Sequence, residues 1–338
     1  MRVGIMSFAH LHAEGYVYNL RAIPGVEIIG LADDNPVRAA YFAQQFGLRQ
    51  FESYEALLAE KPDAVIVCSE NARHLPLVKL AAAAGAHVLC EKPLATTVAD
   101  AQAMIDVCRA AGVQLMTAFP MRFSPPVMEV KKLVDSGQLG PVYGCNSANQ
   151  GSLPRAHQAA GMPDLGRDWF VNKALAGGGV VTDHVVHLAD LLRWILQSEV
   201  VEVFAETNQV FYGAEVEVET GGLVMLTFAN GTFASIDCSW SKPPYYPTWG
   251  GLKMELVGEN GLAVVDAFKQ TITLYNEAAG RPRWLPWGSD ANQGMVAEFL
   301  AAAHENRTPA ITGFDGYQAA AIVAAAYQSA ATGEPVAL

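Results

Sequence analysis

Asp183, His187 and Asp190 follow one another at spacings of four and three residues, which places all three on one face of an α-helix. Histidine suits proton transfer near neutrality, because its ordinary pKa is about 6.5. An acid one turn earlier would orient a substrate or support the imidazole as an ion pair. Gly177-Gly178-Gly179 come just before, and glycine lets a backbone turn sharply at no steric cost. The pattern predicts a helix from about Val180 to Leu196. The same residues also read as an acid complementing a helix dipole above a core histidine. His184 raises the question of a metal held by Asp183, His184 and His187. On an α-helix His184 projects roughly 100° from Asp183. Three ligands from one such helix are strained, and no metal is expected.

A second candidate is Lys92, in Cys90-Glu91-Lys92-Pro93-Leu94. It follows the apolar run His87–Cys90, so it falls at the end of a predicted strand. Pro93 restricts Lys92 to extended geometry and so helps to aim its side chain. At an ordinary pKa of about 10.4 a lysine is a cationic hydrogen-bond donor, and burial lowers that value. Glu91 is placed to orient it. Taken alone, Lys92 reads as a surface lysine at a strand end. Cys90 reads as a buried thiol rather than a redox group.

The elements that must position these residues change character near Arg122. Before it, short apolar runs (Val3–Met6, Val26–Ala32, Ala64–Cys68, His87–Cys90, Gln114–Ala118) alternate with helical stretches such as Leu75–Ala84 and Val98–Ala111. That alternation implies right-handed βαβ units and a parallel sheet. After it, Val142–Gln150, Val200–Phe211, Gly221–Ala229, Thr232–Trp240, Leu252–Gly258, Gly261–Asp266 and Gln270–Asn276 read as strands. Asn230-Gly231 and Glu259-Asn260-Gly261 are hairpin signals between them. The expected fold class is α/β. It combines an N-terminal Rossmann-type parallel sheet over 1–122 with a C-terminal α/β domain over 123–338, built on a large, mainly antiparallel open sheet. Helices over about 293–331 are expected to pack back on the first domain.

A dinucleotide fold normally carries G-x-G-x-x-G between its first strand and helix. Here the aligned positions read Ser7-Phe8-Ala9-His10-Leu11-His12, with no glycine. Ser7, Phe8, Ala9 and His10 are the candidate cofactor contacts of this loop. Small Ser and Ala still permit a close backbone approach. His10 and His12 read first as packing or solvated residues, then as ligand contacts. Asp33 closes the second run about 20 residues on, where a ribose-binding acid belongs. Asp34 beside it would repel a 2′-phosphate, so NAD is favoured over NADP. Asp33-Asp34-Asn35-Pro36 reads equally as a helix-capping turn.

The 338 residues suit two domains. A net charge of −12 disfavours nucleic acid and anionic membranes as partners. Five widely spaced cysteines without a CxxC suggest reduced thiols and a cytoplasmic location. MRVGIM enters an apolar strand without a signal-peptide pattern, and no apolar run reaches a membrane span.

Together, Cys90–Leu94 and Gly177–Asp190 resemble the glucose–fructose oxidoreductase / inositol dehydrogenase / rhizopine-catabolism (Gfo/Idh/MocA) family. Asn71-Ala72-Arg73-His74, Arg122-Phe123, Asp168-Trp169 and Ala326-Tyr327-Gln328-Ser329 with Thr332-Gly333 agree, so the resemblance spans essentially the whole chain. It departs at the glycine-free loop and at Glu70, where a proline is usual. The resemblance implies an NAD(P)-dependent oxidoreductase of sugars, inositols or related polyols, whose open sheet mediates homodimer or homotetramer contacts. It implies Lys92, Asp183 and His187 as the catalytic group. It also implies Asn71, His74, Glu91 and Lys92 near the cofactor, and Lys92, Arg122, Trp169, Asp183, His184 and His187 near a small polar substrate. In that reading a substrate hydroxyl gives its proton to His187, Lys92 stabilises the oxygen, and the cofactor takes the hydride. Two alternatives stand beside it. One is NAD-assisted glycoside cleavage in the same fold. The other is a non-enzymatic ligand sensor, which the glycine-free loop keeps open. Tyr245, Tyr246 and Trp249 read as an aromatic loop for an oligomer contact or for stacking on a sugar.

Overall fold

The structure is a computed structural model that describes all residues except 155–163, 247, 249, 270, 275–282 and 287–289. The expected contact at Trp249 lies outside the described residues. The chain forms two compact units. The first comprises Met1–Pro120, Gln158–Gly178 and Asn292–Ala321; the second comprises Met121–His157, Gly179–Ala291 and Ile322–Leu338.

The first unit is built on five strands: β1 (Arg2–Met6), β2 (Glu27–Ala32), β3 (Ala64–Val67), β4 (His87–Cys90) and β5 (Leu115–Thr117). They lie in the order β2-β1-β3-β4-β5, and every pairing is parallel. Such strands are buried on both faces, which is why they read as unbroken apolar runs. The helices between them are α1 (His12–Arg21), α2 (Pro36–Phe46), α3 (Tyr54–Leu58), α4 (His74–Ala83) and α5 (Val98–Ala111). Their ends follow from local chemistry. Asn35 accepts from the amides of Val37 and Arg38, Pro36 opens α2, and Gly47 closes it with a left-handed φ of 60°. Thr97 caps α5 in the same way, through the amide of Asp100. Leu57, Val78, Ala81, Met104 and Cys108 join Val65, Val67 and Val88 in one buried core.

The second unit holds a seven-stranded sheet with a two-residue edge strand. Its strands are β6 (Val142–Gly151), β7 (Val200–Asn208), β8 (Gly221–Phe228), β9 (Phe233–Ser239), β10 (Gly250–Gly258) and β11 (Gly261–Asp266), with a strand at Val336–Ala337 on the edge beside β7. The order is β11-β10-β6-β9-β8-β7 and then the edge strand. Only the central β6–β9 pair is parallel. Both hairpin signals lie where expected: Asn230-Gly231 joins β8 to β9, and Glu259-Asn260 joins β10 to β11. Along β8, Val224, Leu226 and Phe228 are buried while Leu223 and Met225 are half exposed, so one face is packed and the other open.

Some elements lie outside the expectation. The helix at Pro125–Asp135 was not foreseen, because Pro125-Pro126 masks the apolar periodicity behind it. Prolines at the first helical positions open a helix rather than break it. The helices expected over about 293–331 are Ala291–Glu305 and Gly313–Thr332. The helix predicted from Val180 begins as a π-helical turn over Val181–Val185 and becomes α-helical only at Val186–Leu196.

Candidate functional site

In the first unit the sequence-singled residues gather at the carboxyl edge of the parallel sheet. Glu91, directly after β4, is fully buried. It accepts from Tyr16 Oη and from the Lys92 amide at 3.1 Å. His12 Nδ1 lies 3.0 Å from Oε1, and His10 Nε2 lies 3.8 Å from Oε2. Burial alone would raise the pKa of this carboxyl. The facing His10, His12 and Lys92 outweigh burial and hold it well below the usual carboxylate range. Lys92 itself is buried, at 2% exposure. His74 is enclosed one layer below. Its Nδ1 faces the Pro93 and Leu94 carbonyls, both at 3.1 Å, and its Nε2 faces the Ser69 carbonyl at 3.3 Å. The ring therefore clamps the turn that carries Lys92. Asn71 donates to the Ala176 carbonyl at 2.9 Å.

The loop after β1 keeps its shape without glycine. Ser7 adopts a φ of 75°, a left-handed conformation that costs an L-residue about 1–2 kcal/mol. Its hydroxyl accepts from the Ala9 amide at 3.1 Å and donates to Asp33 at 3.1 Å. Phe8 turns away from the loop mouth and stacks on Phe42 at 4.7 Å. Trp169 closes over the loop, donating from Nε1 to the Ala9 carbonyl at 3.2 Å and stacking on Phe170 at 3.8 Å.

Asp33 is buried, and both its oxygens are engaged. Arg38 grips it through two bonds of 2.8 Å, and the Phe8 amide donates to it at 2.7 Å. The carboxylate that faces open space is that of Asp34, which is paired with Arg73. Asp34, Asn35, Pro36, Arg38, Glu70, Arg73 and Gly166 line an open cavity of about 430 Å³ at the carboxyl end of β2. In a sheet of this kind that is where a nucleotide's ribose lies. The Arg38–Asp33–Glu70 network was not singled out from sequence. The arginine five residues after the strand-end acid was the available signal.

In the second unit Asp183, His184 and His187 are buried together where the π turn passes into the α-helix. His184 is expected to project about 100° from Asp183, yet the two side chains meet, with His184 Nε2 3.2 Å from Asp183 Oδ2. His184 Nδ1 meets the Asn149 carbonyl at 2.8 Å, and the Asn149 amide donates to the His184 carbonyl at 3.1 Å. Trp240 Nε1 donates to Asp183 Oδ2 at 3.4 Å. Asp190 does not join this group. It binds Arg122 through two bonds of 2.9 and 2.5 Å. Arg122 therefore serves as a buried brace between the domain junction and the helix, and Trp194 lies beneath its guanidinium at 5.6 Å.

Glu219 is a further residue that sequence reasoning missed. Its carboxylate accepts from the Gly179 amide at 3.0 and 3.1 Å and from the Val181 amide at 3.0 Å. It therefore caps the helix start from the segment just before β8. Tyr327 donates to it at 2.7 Å and reaches Thr182 at 2.8 Å. Burial raises the Glu219 pKa despite these donors, and it pushes the Tyr327 phenol well up. No local sequence signal marks a cap supplied 40 residues away.

Residues 3–119 match the oxidoreductase family with an NAD-binding Rossmann fold, and residues 127–264 match the GFO/IDH/MocA C-terminal domain. A D-apiose dehydrogenase of Paraburkholderia graminis is 30% identical over 351 residues, covering 99% of this chain and 88% of its own. A myo-inositol 2-dehydrogenase of Thermotoga maritima is 28% identical over 343 residues, covering 97% and 96%. The crystal structure of GenD2 from gentamicin A biosynthesis, in complex with NAD, superposes with a TM-score of 0.87 at 26% identity. It covers 100% of this chain and 96% of its own. The parallel five-stranded unit, the mixed seven-stranded unit and these full-length matches together show that the chain belongs to the Gfo/Idh/MocA family of oxidoreductases.

Proposed function

We propose that the protein is an NAD-dependent oxidoreductase that interconverts a hydroxyl and a carbonyl on a sugar, inositol or related polyol. The observation that carries this reading is Lys92, buried beside an ionised Glu91 at the carboxyl edge of the parallel sheet. Bound nicotinamide supplies or accepts the hydride. The chain's own groups handle charge and protons. Lys92 donates to the substrate oxygen as negative charge develops on it. His187 takes the hydroxyl proton, or returns it in the reducing direction. Asp183, held by Trp240 and facing His184, orients the substrate.

NAD is favoured over NADP because both cavity arginines already carry carboxylate partners: Arg38 has Asp33 and Glu70, and Arg73 has Asp34. A 2′-phosphate would have to displace one of them. The open face of the seven-stranded sheet supports a homodimer or homotetramer. The five buried free thiols suit a reducing cytoplasm.

Lys92→Ala should lower kcat by about 10²-fold or more, the scale of losing one charge-stabilising donor. The NADH dissociation constant should change less than about threefold. Calorimetry should show NADPH binding much more weakly than NADH. If Lys92 and His187 serve one step, the double variant should lose far less than the product of the single losses. Near wild-type turnover in Lys92→Ala would remove the assignment.

A further inference from the structure

An arginine beside the ribose end of a dinucleotide site is ordinarily the group that accepts a 2′-phosphate. The cavity at the end of β2 has two, Arg38 and Arg73. Three carboxylates surround them, and they come from two strand ends. Asp33 and Asp34 follow β2, and Glu70 lies in the loop after β3. β1 separates those strands in the sheet, so the acids reach the arginines from either side of it.

The three acids are engaged differently. Asp33 is consumed by Arg38, through two bonds of 2.8 Å, and by the Phe8 amide and the Ser7 hydroxyl. Asp34 pairs with Arg73 and lies 3.5 Å from Arg38 Nη2, but its side chain is 40% exposed, so solvent screens its charge. Glu70 reaches both arginines from a buried position, with its side chain 7% exposed. Its Oε1 accepts from Arg38 Nη2 at 3.5 Å, and its Oε2 stands 3.7 Å from Arg73 Nη1. Oε2 has no hydrogen-bond donor among the described residues. A buried charge is screened far less than an exposed one. Glu70 is therefore the acid whose field acts on the two guanidiniums with the least loss.

Asp33 already gives Arg38 a two-bond partner, so a second buried acid is not required to neutralise it. Three carboxylates against two guanidiniums leave the group with a formal net charge of −1. A ribose 2′-hydroxyl, which is a hydrogen-bond donor, suits that balance. A 2′-phosphate, carrying about −1.5 to −2 charges at pH 7, does not. We propose that Glu70 determines cofactor choice: its carboxylate holds Arg38 and Arg73 and denies a 2′-phosphate the two guanidiniums that would otherwise bind it. This rests on the cofactor-binding reading above. Neutralising Glu70 cancels the net charge, and removing Asp34 as well makes the group cationic, so the preference follows the charge balance.

The test is calorimetric titration of the full chain with NADH, NADPH, 5′-AMP and adenosine 2′,5′-bisphosphate. Wild type should favour NADH. Glu70→Gln keeps the size of the side chain and one acceptor oxygen. It should raise the NADPH-to-NADH affinity ratio by about tenfold, the scale of one partly screened charge. The bisphosphate-to-AMP ratio should shift equally, which places the effect at the 2′ position. Asp34→Ser added to Glu70→Gln should bring NADPH to at least the affinity of NADH. Arg73→Gln added to Glu70→Gln should cancel most of the gain. Thermal melting checks folding, and Glu70→Ser is the second neutral variant if Glu70→Gln does not fold. A folded neutral variant whose ratio stays within about twofold of wild type would mean that Glu70 only anchors Arg38. The inference would then fall and the cofactor reading would stand. A wild type that favours NADPH would overturn the inference together with the NAD preference. If wild type binds neither dinucleotide, the cofactor reading falls with it.

Discussion

At the scale of single residues, partners decide what a side chain can do. Asp33 and Arg122 have the types and positions of ligand contacts, yet each is locked in a two-bond ion pair, with Arg38 and Asp190 respectively. A buried charge must be paired or it is not tolerated, and such pairing consumes the group. Lys92, Glu91, Asp183 and His187 were legible because motif and spacing announce them. Trp240, the partner of Asp183, and Asn149, the partner of His184, were not, because they lie 57 and 35 residues away in sequence. His74 shows how burial sets a pH response. Burial lowers its pKa below the ordinary 6.5, against the carbonyls and Glu91 that raise it. The unfolded chain takes up a proton below that pH and the folded one resists it. This contribution to stability is therefore complete above pH 6.5 and lost as pH falls. Glu91, also depressed, adds a loss in the same direction below its ordinary 4.5. The melting temperature should thus drop as pH falls from 7 to 5, and His74→Gln should flatten that drop. An unchanged profile in the variant would assign the response elsewhere. The five thiols need no such test. Cys90 and Cys68 are fully buried and pushed well up, and Cys145 is pushed up to about 12, which keeps all three as unreactive thiols.

At the scale of elements, the π turn over Val181–Val185 is the feature that the i, i+4, i+7 pattern concealed. Periodicity cannot separate an α-helix from one widened turn within it, because the apolar residues stay buried in both. The turn is held from outside by Glu219, and the approach is close. A Cβ on Gly179 would lie 2.0 Å from the Glu219 carbonyl oxygen. The glycine run thus serves contact more than chain reversal, since only Gly177 of the three takes a positive φ, at 85°. Gly179→Ala should destabilise the protein by more than about 2 kcal/mol in chemical denaturation, the range for overpacking at a fixed backbone. It should also lower kcat in whatever protein folds, because Asp183 lies on this turn and His187 on the helix that continues it. Wild-type stability in this variant would mean that the segment carrying Glu219 yields easily.

At the scale of the whole molecule, the second sheet carries exposed apolar side chains on one face among the described residues. Leu223, Met225, Phe233, Val257, Leu262 and Val264 are 40–68% exposed there, while Val224, Leu226, Ala234, Leu256, Ala263 and Val265 beside them are buried. Patches of this kind mark association sites. A Leu223→Lys, Met225→Lys double variant should shift the protein to a smaller species in light scattering coupled to gel filtration. A wild type that is already monomeric would remove the proposal. No helix among the described residues is long and apolar enough to cross a membrane. Period-2 and unbroken apolar runs determined the parallel and antiparallel sheets, and residue types with spacing determined where Lys92, Asp183 and His187 stand. Those signals are local, and local signals survive in one dimension. The tertiary structure alone decided which acids are free to meet a ligand, how His12 is oriented by Glu91, and what caps the Val181 turn. Each of these depends on contacts between residues about 25 to 150 apart in the chain, which no periodicity records.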